Sequence, residues 1–370
     1  MKIVIVNAHV SRRIGGSEMQ CHLIAQELRR RGHDIYYVAV GGAEPAPGTS
    51  YRIHPVEPSA TSIASACIAI KPDVVYWRFN KRNFFLAAKA LARAGIPIAF
   101  AISHVADTQK WSSKREFRGS SWREIYRMLR DKVLSRWNYR GFRFVSGIVA
   151  NNSEHLNLIR LQPQLHIPNV VSDLHNVSDE QSPWPRRYCL WVASIKPQKQ
   201  PEKYVELAAR LGGLGIDFLM IGSVDSPKYE YMLDKQQLPG NLHYLGAKDA
   251  RTVNRFVNGA LLVVHTCQPE GFPNIFIEAW SHSKAVVSLC FDPEGLLRRE
   301  NVGICSGTFD QFARDVTHLI GDSGLREELG ARGKAFADRA FNLGRNVGTL
   351  ETFLQTMANR GTFQQTPRKT

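Results

Sequence analysis

The sequence predicts an α/β protein made of two doubly wound domains, and three observations carry that expectation. Short β-branched runs alternate with helical segments along most of the chain. A stretch at 168–187, rich in Pro, Ser, Asp and Asn, cuts that alternation in two. The chain has 370 residues, and at about 100–200 residues per domain that suits two cores. Hydrophobic residues at 44% and charged residues at 22% are ordinary globular usage, which excludes a disordered, collagen-like or coiled-coil chain.

In the first half, residues 3–6 form an unbroken β-branched run, as in a strand buried on both faces of a parallel sheet. After a loop, Ser17 is the expected cap of a helix marked by Leu23, Ile24 and Leu28. Three arginines and Gly32 suit that helix's negative end. A strand at 35–40 completes one βαβ unit. Strands follow at 73–76, 97–102 and 144–150, with a helix at 84–93.

The second half repeats the rhythm. Strands are expected at 188–195, 217–221, 242–245, 261–265 and 285–289, with helices at 202–211, 227–236, 249–258 and 274–282. After Ser306 three helical segments run to a polar, basic tail from Arg360. The expected organisation is an N-terminal domain at 1–168, a linker at 169–187, a C-terminal domain at 188–340 and a final helix with tail at 341–370. Ligand is expected in the cleft outside the carboxyl ends of the strands.

Six cysteines, at 21, 67, 189, 267, 290 and 305, form no Cys-x-x-Cys pair. They read as reduced core residues of a cytoplasmic protein rather than a disulfide framework or a zinc site. No apolar run is long enough for a signal peptide or a membrane-spanning helix. Lys and Arg number 48 against 33 Asp and Glu, a net charge of +15, which suggests an anionic partner.

The chemistry concentrates at 261–280. A buried strand ends near Cys267, a loop turns the chain through Pro273, and a helix begins at Asn274. A helix start offers unpaired N–H groups and a partial positive charge, a natural seat for phosphate. Glu270 lies in the loop and Glu278 one turn into the helix, so both carboxylates suit one crevice. A carboxylate accepts two hydroxyls well, which fits Glu278 to a vicinal diol such as a ribose and Glu270 to a second sugar. The plainer reading is a local cap and a solvated helix carboxylate, and spacing alone does not separate the two.

The same segment, PEGFPNIFIEAW, holds Glu270 and Glu278 as a Glu-x7-Glu motif. It resembles the donor-binding signature of family-4 (group 1) retaining glycosyltransferases of the GT-B fold. The likeness runs through nearly the whole chain: Gly15-Gly16-Ser17-Glu18 after the first strand, IPIAFAISH ending at His104, GIVANNSE ending at Glu154, and LWVASIKPQKQPE around Lys199. The resemblance implies two Rossmann-like domains facing a cleft, with C-terminal helices returning toward the N-terminal domain. It implies a nucleotide-sugar donor, a glycan or lipid-linked acceptor, and neither a cofactor nor a metal.

By the same resemblance Glu278 binds the donor ribose and Glu270 the transferred sugar. Phe272 and Asn274 present main-chain N–H groups, Gly16 lets backbone approach the diphosphate, and His104 faces the sugar. Lys199 matches the phosphate-loop lysine. Where most members carry an arginine five residues earlier, this chain has Ser194; either Lys196 takes over the lost charge or diphosphate binding is weaker. The plainer reading of Lys196 and Lys199 is ordinary loop lysines. A nucleotide-sugar epimerase of the same fold and a non-catalytic nucleotide- or glycan-binding protein are the alternatives.

A second segment, residues 110–143, holds eleven Lys or Arg and three Asp or Glu, a net +8. Within it Trp122, Ile125, Tyr126, Leu129, Val133 and Trp137 share one helical face. A basic amphipathic helix with aromatics reads as an element on an anionic membrane surface, which would make the protein peripheral on the inner face of the cytoplasmic membrane. The bland alternative packs the apolar stripe on the N-terminal sheet. No nucleic-acid motif accompanies the charge, so no nucleic-acid partner is expected.

Overall fold

The computed structural model describes residues 1–12, 15–44, 48–103, 105–112, 122–171, 182–268 and 272–363. The chain divides into two compact units, one of residues 1–170 and 343–370, the other of residues 171–342.

Unit 1 runs β1 (Lys2–Asn7), α1 (Gly16–Arg30), β2 (Asp34–Val40), β3 (Arg52–Val56), α2 (Ala60–Ile70), β4 (Val74–Trp77) and α3 (Phe84–Arg93). It continues through β5 (Ile98–Ile102), α4 (Val105–Thr108), α5 (Trp122–Tyr139), β6 (Gly147–Ala150), α6 (Ser153–Asn157) and β7 (Gln164–His166). The seven strands form one parallel sheet in the order β3-β2-β1-β4-β5-β6-β7. Alternation along β1 sorts its side chains to opposite faces. Ile3 and Ile5 pack with Leu23, Ile24 and Leu28 of α1, while Val4 and Val6 pack with Cys67 of α2 and Phe84 and Leu91 of α3.

Unit 2 runs β8 (Tyr188–Val192), α7 (Pro201–Arg210), β9 (Asp217–Ile221), β10 (Leu242–Tyr244), α8 (Ala250–Gly259), β11 (Leu262–His265) and α9 (Asn274–Ser281). It ends with β12 (Ala285–Ser288), α10 (Leu296–Arg299), β13 (Gly303–Cys305), α11 (Phe309–Gly321) and α12 (Ser323–Ala340). Its six strands are parallel in the order β10-β9-β8-β11-β12-β13. Trp191 of β8 packs with Tyr204 of α7 and Phe312 of α11 on one face. Leu190 packs with Phe276 and Trp280 of α9 on the other.

The last helix, α13 (Leu343–Phe363), belongs to unit 1. Its Val347, Leu350, Leu354 and Met357 complete the core around Ile3 and Ile24. A Cβ on Gly147 of β6 would lie 2.8 Å from the Phe353 ring and 2.9 Å from Met357 Sδ, so only glycine admits this helix so near the strand.

Four expectations change. The N-cap of α1 is Gly15, not Ser17. Ser17 lies inside the first turn, where its Oγ accepts from Asn7 Nδ2 at 3.1 Å. The helix expected at 227–236 is a pair of 3-10 turns, Pro227–Leu233 and Lys235–Gln237. The buried residues there, Tyr229 and Met232, stand three apart, the eclipsed spacing of a 3-10 helix. Cys290 is exposed in the bend two residues past β12, and Cys305 is half-buried at the end of the edge strand β13. Finally, the bland alternative for the α5 stripe gives way: Trp122, Tyr126, Leu129, Val133 and Trp137 are exposed and Ile125 is half-buried.

Candidate active site

In unit 2 two loops at the carboxyl ends of neighbouring strands are held side by side. The first follows β8 through Ser194 and Lys196 into a 3-10 turn, Pro197–Lys199. Its residues are half-buried except Ile195, which is fully buried. Gln200 then takes a left-handed conformation, φ 47°, and turns the chain into α7. Gly222, just past β9, supports this loop from beneath. A Cβ at Gly222 would collide with the Ala193 carbonyl, so the residue must be glycine for the two segments to meet. Ile195 then pairs with Val224, its N–H donating to the Ser223 carbonyl at 2.7 Å.

The second loop leaves β11 through Thr266 and Cys267, both buried. Thr266 joins the two loops. Its Oγ1 accepts from Trp191 Nε1 at 2.9 Å and donates to the Lys199 carbonyl at 2.8 Å. One residue beyond Cys267, the Gln268 N–H donates to the Gln198 carbonyl at 3.0 Å. A fully buried indole on β8 thus fixes a hydroxyl on β11, and that hydroxyl fixes the turn carrying Lys199.

Helix α9 starts where the second loop ends. Ile275, Phe276, Ile277, Ala279 and Trp280 are buried, which leaves Asn274 and Glu278, at i and i+4, on its half-buried seam. The Phe272 ring packs 5.3 Å from Phe341 and 6.5 Å from Trp280, so this residue can offer the site only its main chain. The Glu278 carboxylate makes no hydrogen bond or ion pair among the described residues. Burial without a partner pushes its pKa up to about 7. An unpaired carboxylate held at this depth is a strong acceptor for hydroxyl donors that a ligand would bring.

Of the residues expected at the site, Ser194, Lys196 and Lys199 lie on the first loop, and Phe272, Asn274 and Glu278 beyond the second, all within unit 2. Gly16 opens α1 in unit 1, with the Glu18 carboxylate folded beneath Gly15. Glu270 and His104 lie outside the described residues. Sequence reasoning passed over Thr266, Trp191, Gln198 and Gln268. The polar pair His265-Thr266 closing the apolar run 261–264 was the available signal for Thr266. Among the described residues no group of His, Cys, Asp and Glu is arranged to hold a metal ion.

Residues 176–336 match the family model of the glycosyl transferases group 1. No curated protein sequence matches the chain. Among solved structures, Anabaena HepE in complex with UDP-glucose superposes with a TM-score of 0.74 at 16% identity, over 96% of this chain and all of the other. A glycosyltransferase from Rickettsia africae gives 0.73 at 15% identity, over 96% and 98%. WaaG, a glycosyltransferase involved in lipopolysaccharide biosynthesis, gives 0.73 at 13% identity, over 96% and 99%. Residues 176–336 are therefore a group 1 glycosyltransferase domain, and the chain as a whole shares the GT-B fold of these solved glycosyltransferases.

Proposed function

We propose that this chain moves a sugar from a nucleoside diphosphate sugar onto a lipid-linked or surface-polysaccharide acceptor, with retention of anomeric configuration and without a bound metal. The observation that carries the donor reading is Glu278, a half-buried carboxylate without a partner among the described residues, on the helix that follows the loop tied to Lys199. Glu278 accepts the two ribose hydroxyls. The first N–H groups of α9 and the ammonium groups of Lys196 and Lys199 neutralise the diphosphate, whose charge grows as it departs. With no arginine at 194, Lys196 is the nearest cation in sequence to make up that charge.

The bond from the anomeric carbon to the phosphate oxygen breaks, and the acceptor oxygen bonds to that carbon on the same face. The acceptor proton passes to the departing phosphate oxygen. Glu270 contacts the transferred sugar and His104 faces it, as the family resemblance implies. Support for a uridine donor comes from HepE, whose structure holds UDP-glucose.

The test incubates the purified chain with UDP-, GDP- and ADP-sugars and lipid-linked glycan acceptors in EDTA. Release of nucleoside diphosphate is expected only when donor and acceptor are both present, and the product keeps the donor's anomeric configuration. Inversion, a strict need for divalent metal, or sugar interconversion without acceptor would each overturn the corresponding part of the reading.

A further inference from the structure

Helix α5 is turned inside out. Among its described side chains the two that are buried are polar. Ser135 is buried, its Oγ 3.1 Å from the Ser112 N–H and 2.9 Å from the Ser112 hydroxyl. Asn138, also buried, accepts from the Phe85 N–H at 3.3 Å and donates to the Leu134 carbonyl at 3.0 Å. Its open side carries the large apolar groups. Trp122 is 83% exposed and Val133 61%, with Tyr126 and Leu129 between them, while Trp137, 44% exposed, rests one edge of its ring against Phe85 of α3 at 4.9 Å. These five positions lie on one face of the helix and, at about 1.5 Å rise per residue, span some 22 Å.

Beside the stripe lies an open groove of about 220 Å³ lined by Trp111, Val133, Arg136, Trp137 and Arg140. The Arg136 guanidinium stands 6.0 Å from the Trp111 ring centre, and Arg140 stands 5.4 Å from that of Trp137. Arg127, Arg130 and Arg143 are exposed nearby in sequence. A soluble domain seldom leaves an apolar strip of this length bare, so the strip implies an occupant.

Charge selects the occupant. Residues 110–143 carry a net +8, so a second copy of the same face would meet strong like-charge repulsion. We infer that the open face of α5 docks on the surface of an anionic phospholipid bilayer. Tryptophans, whose rings are apolar and whose N–H is polar, sit at the level of the headgroups. The arginines reach lipid phosphates while their stems lie along apolar surface. The groove between Trp111 and Trp137 takes the first methylenes of an acyl chain, with Arg136 and Arg140 against its phosphate. Among the described residues no helix is long and apolar enough to cross a membrane, so the contact lies in the plane of the interface. This inference rests on the reading of a lipid-linked acceptor only for its purpose; the surface itself is independent of the donor site.

The experiment sediments the full chain with vesicles of phosphatidylcholine alone and of phosphatidylcholine with an equal part of phosphatidylglycerol. Binding is expected to the anionic vesicles and to weaken as salt is raised. R127E/R130E is expected to lower partitioning by about tenfold or more, since each basic residue contributes a sizeable attraction near an anionic surface. L129S/V133S is expected to lower it similarly while leaving the melting temperature within a degree or so, because both side chains are already in water.

Binding that ignores lipid charge and salt, or no binding at all, overturns the inference. So does a dimer in sedimentation equilibrium that L129S/V133S dissociates, which would assign the face to a second copy. A large drop in melting temperature in L129S/V133S would show the stripe to be packed and overturn it as well. Donor binding, followed by thermal shift with UDP, is expected unchanged in both variants. Loss of donor binding in the wild-type chain would count against the proposed function and leave the docking surface standing.

Discussion

Replacing Glu278 with glutamine keeps the side chain's shape and removes its charge. Two opposite effects follow. The first is on the donor. A hydrogen bond to a charged group is worth about 1.5–3 kcal/mol, so donor affinity should fall by about tenfold to a hundredfold. The second is on the fold. Burial raises the Glu278 pKa from 4.5 to about 7, so the native state holds this proton more tightly than the unfolded chain does. Native stability therefore declines as pH rises from 4.5 through 7, and the penalty is complete above 7. The full shift corresponds to about 3 kcal/mol. Solvent reaches this half-buried group, so a gain of about 1–2 kcal/mol for Glu278→Gln at pH 8 is the working figure.

Denaturant unfolding at pH 5 and pH 8, paired with calorimetric titration of the donor, separates the two effects. Glu278→Gln should match the wild type in stability at pH 5, exceed it at pH 8, and bind donor weakly at both. Wild-type donor affinity should rise as pH passes through 7, while the variant's stays flat. Equal donor affinity in both proteins, together with equal stability at pH 8, would show that the carboxylate is neither strained nor used.

Two further substitutions probe the loops beside it. Lys199→Ala should lower kcat more than it raises KM, because leaving-group charge grows in the transition state. Lys196→Ala should also slow turnover, and adding Ser194→Arg should restore much of it; a Lys196→Ala enzyme as fast as wild type would remove Lys196 from the diphosphate site. Thr266→Val deletes the hydroxyl that joins Trp191 to the Lys199 carbonyl, taking from the buried Trp191 N–H its acceptor at a cost of about 1–3 kcal/mol. Melting temperature and donor affinity should fall together, whereas a lower melting temperature with unchanged affinity would show that the link is structural only.

The interior strands were legible because a strand buried on both faces must be a continuous apolar run. Residues 3–6, 98–102 and 262–264 leave no other reading. Three of the four edge strands carried no such mark. β3 contains Pro55 and is mostly half-exposed, and β7 and β13 have three residues each. α2 escaped notice because ATSIASACIAI has too few polar positions for a helical period to stand out. At the site, the motif brought Glu278 and the phosphate-loop lysines to attention. It said nothing of Thr266, whose role depends on two partners distant in sequence. Periodicity likewise revealed that α5 has an apolar face but not what lies against it, since a stripe facing lipid and a stripe facing a sheet are written in the same letters.

The position of α13 also bears on how the chain is made. Between Val170 and Leu343 the ribosome synthesises the whole of unit 2 before it reaches the helix that closes unit 1. Units generally fold as they emerge, so here the second can finish before the first. Until α13 arrives, the apolar face around Ile3, Ile5 and Ile24 stays open to water and to other nascent chains. A stop codon within 343–363 would accordingly harm the unit encoded first, leaving the later one whole. Such a truncated product would be a natural client for holding chaperones rather than a smaller working enzyme.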